Sequence, residues 1–179
     1  MNALYFPVLL LAFLDIFNPF LQQKGEVTDL ACLARNGRLE ISCRVSGIDD
    51  SMVRQALDAG EVVGFEYFLE VRQSRSIWFS EFIGETVLKK ELYYNNLTQQ
   101  YFGLVPEKGQ NGAELIFKDF DQAAAWLRQL QAAEWNLSKE FQVGKAYLRA
   151  RVVLKRKSLL FLLPVETTTP WQRATIGRP

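Results

Sequence analysis

The sequence predicts a mainly β fold, an antiparallel β-sandwich of immunoglobulin-like architecture with one short and one longer inserted helix. Three observations predict it. Residues 61–79 alternate with a period of two: Val63, Phe65, Tyr67, Leu69 and Val71 are apolar, and Glu66, Glu70 and Arg72 between them are charged. The two sets therefore fall on opposite faces of one strand. Asn36-Gly37 separates two further alternating stretches, and that dipeptide is the strongest short hairpin signal. Turn residues recur between several more such stretches, and only two segments carry helical spacing. This is the pattern of a sandwich of roughly seven to nine strands.

Composition bounds the chemistry. At 179 residues the chain suits one domain and is short for two. With 49% hydrophobic and 23% charged residues, wholesale disorder is excluded. A net charge of +1 supplies no global field for nucleic acid, so none is expected as a partner. There is no histidine. The usual general base near neutral pH and the commonest metal ligand are therefore missing, and serine or cysteine triads built on histidine are excluded. Two cysteines cannot complete a conventional structural zinc site within one chain. No catalytic residue, metal site or cofactor is predicted.

Residues 3–14 are an apolar run interrupted only by Pro7 and followed by Asp15. Its length suits the core of a signal peptide better than a spanning helix. Residues 1–24 are therefore read as a signal peptide or N-terminal membrane anchor; the alternative is a buried helix. The hairpin follows. A two-residue turn pairs Arg35 with Arg38 and Cys32 with Ile41, which puts Leu30, Cys32, Ala34, Leu39, Ile41, Cys43 and Val45 on one face. Cys32 and Cys43 then stand one diagonal step apart, about 7–8 Å between α-carbons. A bridge needs less than about 7 Å, so two buried thiols are favoured over a disulfide.

Asp49-Asp50-Ser51 can cap a short helix that Gly60 ends, with Val53, Ala56 and Leu57 as its apolar stripe. The central strand comes next, with Phe65 and Leu69 inward and Glu66 and Glu70 in water. A second hairpin is read across Asn95-Asn96, with Leu88, Leu92, Tyr94, Leu97, Tyr101 and Val105 on one face. Residues 107–112 read as a polar loop. Asp119 and Gln122 resemble a capping box opening a helix to about residue 134, with Phe120, Ala123, Ala124, Leu127 and Leu130 toward the core. Residues 146–154 alternate again, with Tyr147, Arg149 and Arg151 outward, and 158–165 read as an apolar strand. The expected division is 25–166 for the sandwich domain and 167–179 for a flexible C-terminal tail.

Arg72, Arg75 and Trp78, with Arg149 and Arg151, form the candidate binding surface. Guanidinium forks and stacking would suit an anionic or planar ligand. The plainer alternative is a solvated strand face with a tryptophan shielding an edge. Lys155-Arg156-Lys157 extends the basic set toward phospholipid headgroups or an acidic partner, against the same alternative of edge-protecting charge.

Several segments together resemble the bacterial family named domain of unknown function 4390. They are residues 55–61, 65–75, Trp78, Leu92-Tyr93-Tyr94 before Tyr101, the helix at 120–130, 147–151, Leu163-Pro164 and Trp171. The resemblance covers about residues 30–171. It implies a small exported or envelope-associated bacterial protein with a β-rich fold, no assigned activity and no catalytic residues to carry over. The expected function is a non-catalytic accessory or partner/ligand-binding domain in the periplasm or cell envelope, with the N-terminal segment as its membrane contact. Its expected partner is another envelope protein or an anionic ligand. The alternative is a histidine-independent enzyme using carboxylate, Tyr or Lys groups.

Overall fold

The alternation of the central stretch is realised as one long strand with an apolar and a charged face. The computed structural model describes residues 25–35, 37–75, 79–107, 110–157 and 165–178. The N-terminal run, Trp78 and the stretch 158–164 lie outside the described residues. The elements are β1 (Glu26–Arg35), β2 (Arg38–Ser46), α1 (Asp50–Asp58), β3 (Val62–Ser74), β4 (Ser80–Asn95), β5 (Gln100–Glu107), β6 (Gln110–Phe117), α2 (Phe120–Arg128), β7 (Gln129–Asn136), β8 (Ala146–Lys157), β9 (Val165–Thr168) and β10 (Gln172–Gly177).

The mainly β prediction holds, but the sandwich is replaced by one curled, mixed sheet forming a half-barrel. Its strand order is β6-β5-β4-β3-β8-β10-β1-β2-β7, with β9 also on β8. Period-two strands with one wet face serve a curled sheet as well as two stacked ones, so the sequence pattern could not separate them. β3 runs antiparallel to β4 and to β8 over nearly its whole length. Val63, Phe65, Tyr67, Leu69 and Val71 are sealed on the concave side, against Leu148, Ala150, Val152 and Leu154 of β8. α1 and α2 pack into the same concavity. Among the described residues no helix is long and apolar enough to cross a membrane.

Local chemistry sets the element ends. Asp49 caps α1 by accepting from Ser51 N at 2.8 Å, and Asp119 caps α2 by accepting from Gln122 N at 2.8 Å. In the first hairpin Cys32 pairs with Ile41 as expected, but a bulge between Thr28 and Ala31 shifts the register beyond it. Asp29 takes φ 51° there, and the extra residue turns Val27 inward. Cys32 and Cys43 are both buried and free, and burial pushes each thiol up to about 12.

Four sequence expectations are corrected. The second hairpin turns through residues 96–99 rather than two residues, because Asn95 Oδ1 accepts from Leu97 N at 2.9 Å and Thr98 N at 3.3 Å. Tyr94 then faces Tyr101, and Leu97 is 95% exposed instead of inward. The presumed loop at 107–112 contains the start of β6. The helix ends at Arg128, not near 134, and passes directly into β7, which pairs with β2. The expected flexible tail is ordered: β10 lies between β8 and β1. β6, β7 and β10 are short and lack clean alternation, so pairing with neighbours decides their state.

The early end of α2 has a visible cause. Lys90 lies opposite Phe65, so its side chain points into the concavity. Its ammonium donates to Trp126 O at 2.9 Å and Gln129 O at 2.6 Å, and lies 4.7 Å from the Trp126 ring. Buried Tyr67 donates its hydroxyl to Leu127 O at 2.6 Å. Three carbonyls at the end of α2 thus have side-chain partners, and the backbone is free to leave the helix. Trp126 seats against Gly103, where a β-carbon would come within 2.7 Å of the indole.

Two outcomes check this packing. Phe65→Ala should cost about 3–5 kcal/mol and Leu69→Ala about 2–5 kcal/mol in denaturant melts, whereas Leu97→Ala in the exposed turn should stay within about 0.5 kcal/mol. Burial brings the Lys90 ammonium down to about 8, from 10.5. Between those values the unfolded chain binds the proton that the folded chain releases, so stability attributable to Lys90 rises with pH and is lost as pH falls through 8. Lys90 itself draws the Cys43 thiol down, so wild type and Lys90→Met are compared in a Cys43→Ala background. The stability difference between the two proteins should therefore grow from pH 8 to pH 10.5 in urea melts at stepped pH.

Candidate functional site: an arginine–tryptophan groove

The convex face of the sheet gathers the outward residues of β4, β3, β8 and β10 into rows set by the register. One row runs Val87, Phe68, Arg151, and the next runs Glu85, Glu70, Arg149, Arg173. A third runs Phe82, Arg72, Tyr147, Thr175. Strand parity alone therefore brings the β3 and β8 arginines together.

Trp171 arrives by a different device. β9 and β10 both lie along β8, and residues 169–171 between them depart from the ladder. Thr169 N donates to Val152 O at 2.9 Å, and Thr169 Oγ1 accepts from Val152 N at 2.9 Å. The hydroxyl thus takes the place of a strand carbonyl, and Pro170, which has no N–H, sits where the ladder is interrupted. Trp171 swings over β8, with Arg149 and Arg151 guanidinium carbons 4.5 and 4.7 Å from its ring. Arg151 also lies 5.1 Å from the Phe68 ring, and Arg173 lies 3.6 Å from that of Tyr147. Each such contact is worth about 0.5–1 kcal/mol at exposed sites and more where water is excluded.

Glu70 anchors the array. Though on the outward face, it is only 8% exposed; it accepts from Arg72 Nε and stands 3.7 Å from Arg149 Nη1. Glu66 is likewise covered, by Lys89 at 2.7 Å and Lys155 at 3.0 Å. Burial alone would push the Glu66 carboxyl up, but the bonds and charges of the two lysines outweigh it and hold the group below its ordinary value. The expectation that Glu66 and Glu70 face open water is corrected: parity is as expected, and flanking cations enclose them. Between Phe82, Val87 and Trp171 runs a groove of about 250 Å³, floored by Phe68, Arg72 and Arg151. Arg151 Nε is buried in it without a hydrogen-bond partner.

The family described as Domain of unknown function (DUF4390) matches residues 22–174. The chain belongs to that family. No curated protein and no solved structure matches the chain. The family's span contains every residue of the groove.

Of the five residues singled out from the sequence, Arg72, Arg149 and Arg151 converge. Arg75 does not; it lies at the far end of the β3–β4 hairpin and donates to Glu81 at 2.6 Å, beside Lys139 at 2.6 Å. Trp78 lies outside the described residues. The basic triplet is paired: Lys155 with Glu66 and Glu166, Arg156 with buried Glu61, and Lys157 with Glu91 at 2.6 Å. Phe68 and Trp171 were missed as site residues. Phe68 carried a signal, being the apolar residue at an outward parity between Glu66 and Glu70; Trp171 carried none, because its placement depends on the interruption at Thr169.

Removing the anchor should be felt. Glu70→Ala leaves Arg72 and Arg149 without their carboxylate and should cost about 1–3 kcal/mol. Glu85→Ala, exposed in the same row, should stay within about 0.5 kcal/mol. Denaturant melts of both variants provide the comparison.

Proposed function

We propose that this chain is a non-catalytic, envelope-associated binding domain that recognises an anionic group through the arginine–tryptophan groove. The observation that carries the reading is Arg151. Its guanidinium lies against Phe68 and Trp171, its Nε has no partner, and no ion pair engages it among the described residues. A donor that is buried, charged and unpaired calls for an acceptor. Arg149 and Arg72 add positive charge beside it, and Glu70 holds them in place.

The enzymatic alternative has less support. Glu66 and Glu70 each stand between two basic side chains, and those of Glu66 hold its carboxyl below the ordinary value, away from what a general acid needs. Lys90 and Tyr67 are engaged with the carbonyls of α2. Association with the envelope rests on the apolar run at residues 3–14.

Binding of an anion to the folded state raises the melting temperature by mass action. Titrating the full chain with citrate or inorganic phosphate should produce that rise, and Arg151→Gln should abolish it. Melting indifferent to every anion tested ends the reading of the groove. For the envelope, residues 1–30 fused to a reporter active only outside the cytoplasm should give activity; a stable but silent fusion removes that part.

A further inference from the structure

Resting on that reading, we infer that the groove receives a short extended segment of a partner protein in which one carboxylate is flanked by apolar side chains. Size is the first argument. A recess of about 250 Å³ falls below the roughly 300–1,000 Å³ of pockets that enclose a whole small ligand. It has room for one or two side chains, with the rest of the bound molecule running over the surface.

Layout is the second argument. Phe82 and Val87 on β4, 46% and 40% exposed, form one apolar wall, and Trp171, 36% exposed, forms the other. Between them lie Arg72 and Arg151, with Arg149 beside them under Trp171, and Glu70 and Glu85 are the carboxylates that offset part of their charge. From β4 to β10 is three strand spacings, roughly 14 Å, the reach of four or five extended residues. A segment crossing the strands with an acidic residue at its centre sets the carboxylate against the Arg151 guanidinium and its apolar neighbours on the two walls. The guanidinium groups of Arg149 and Arg151 lie over rings, so a flat lipid surface would meet the apolar rims before these charges. A peptide carboxylate can enter between them.

The test is fluorescence anisotropy with the full chain and a short labelled peptide bearing one glutamate between two phenylalanines. Binding is expected, and it should weaken roughly tenfold or more when the peptide's glutamate becomes glutamine, since a charged hydrogen bond is lost. Arg151→Gln should weaken it by a similar factor. Arg151→Lys, which keeps the charge and lacks the planar fork, should fall between the two. The glutamine peptide leaves the protein untouched, so a misfolded variant cannot imitate the result. Equal binding of both peptides overturns the inference. Arg151-dependent binding of citrate or phosphate without peptide binding also overturns it, while sparing the anion groove. Arg151-dependent binding to anionic phospholipid vesicles in place of the peptide overturns it in favour of headgroups. Indifference to all of these overturns both the inference and the proposed function.

Discussion

The structure depends on the strict sorting of β3. Its odd residues are sealed in the concavity, and its even residues carry Glu66, Phe68, Glu70 and Arg72 to the other side. Because β3 has a neighbour along both edges, a slip of one residue would exchange the two sets at once. It would bury two glutamates and an arginine, and expose Phe65, Tyr67 and Leu69. The register of β4 and β8 is thereby fixed, and with it the rows that align Glu70 with Arg149 and Phe68 with Arg151. Core and groove are two sides of the same constraint.

Much of this was legible in the residues. The alternation of β3 and β8, the Arg35–Arg38 pairing of the first hairpin, the caps at Asp49 and Asp119 and the outward parity of Arg72, Arg149 and Arg151 all follow from local periodicity or local turn and cap chemistry. What was not legible depends on partners distant in sequence. Leu130 fits a helical stripe and is buried, yet it sits in β7 opposite Cys43; burial at one position does not reveal which element delivers it. Lys90 shares the parity of Leu88 and Leu92, so alternation did place it inward. A charge among apolar neighbours becomes intelligible only once the end of α2 stands opposite it. The difference between a sandwich and a half-barrel likewise lies in how the sheet curls, which no single strand encodes.

Charge is distributed unequally over the convex face. Toward the end of β8 the outward bases are met by acids, Lys155 by Glu66 and Glu166 and Lys157 by Glu91. Around Trp171 the arginines outnumber the carboxylates and are held by rings instead. An overall charge of +1 conceals this contrast, since composition sums what the fold separates. Guanidinium is suited to such a place because it stacks on aromatic faces and is weakly hydrated, where an ammonium would retain its water.

β10 joins β8 on one side and β1 on the other, antiparallel to the first and parallel to the second. Its bond to β1 is brief, Cys32 with Ile176 and Leu33 with Gly177, and it links partners from opposite ends of the described chain. Until β10 is in place, the β1-β2-β7 ribbon and the remainder of the sheet are two curved fragments with bare edges at β1 and β8. Bringing such distant segments together carries the entropy of a long loop, and topologies of this kind fold slowly. During that interval the bare edges can pair with other chains. The half-barrel is thus closed at the short seam between β1 and β10, and its edges are exposed to aggregation for as long as that seam is open.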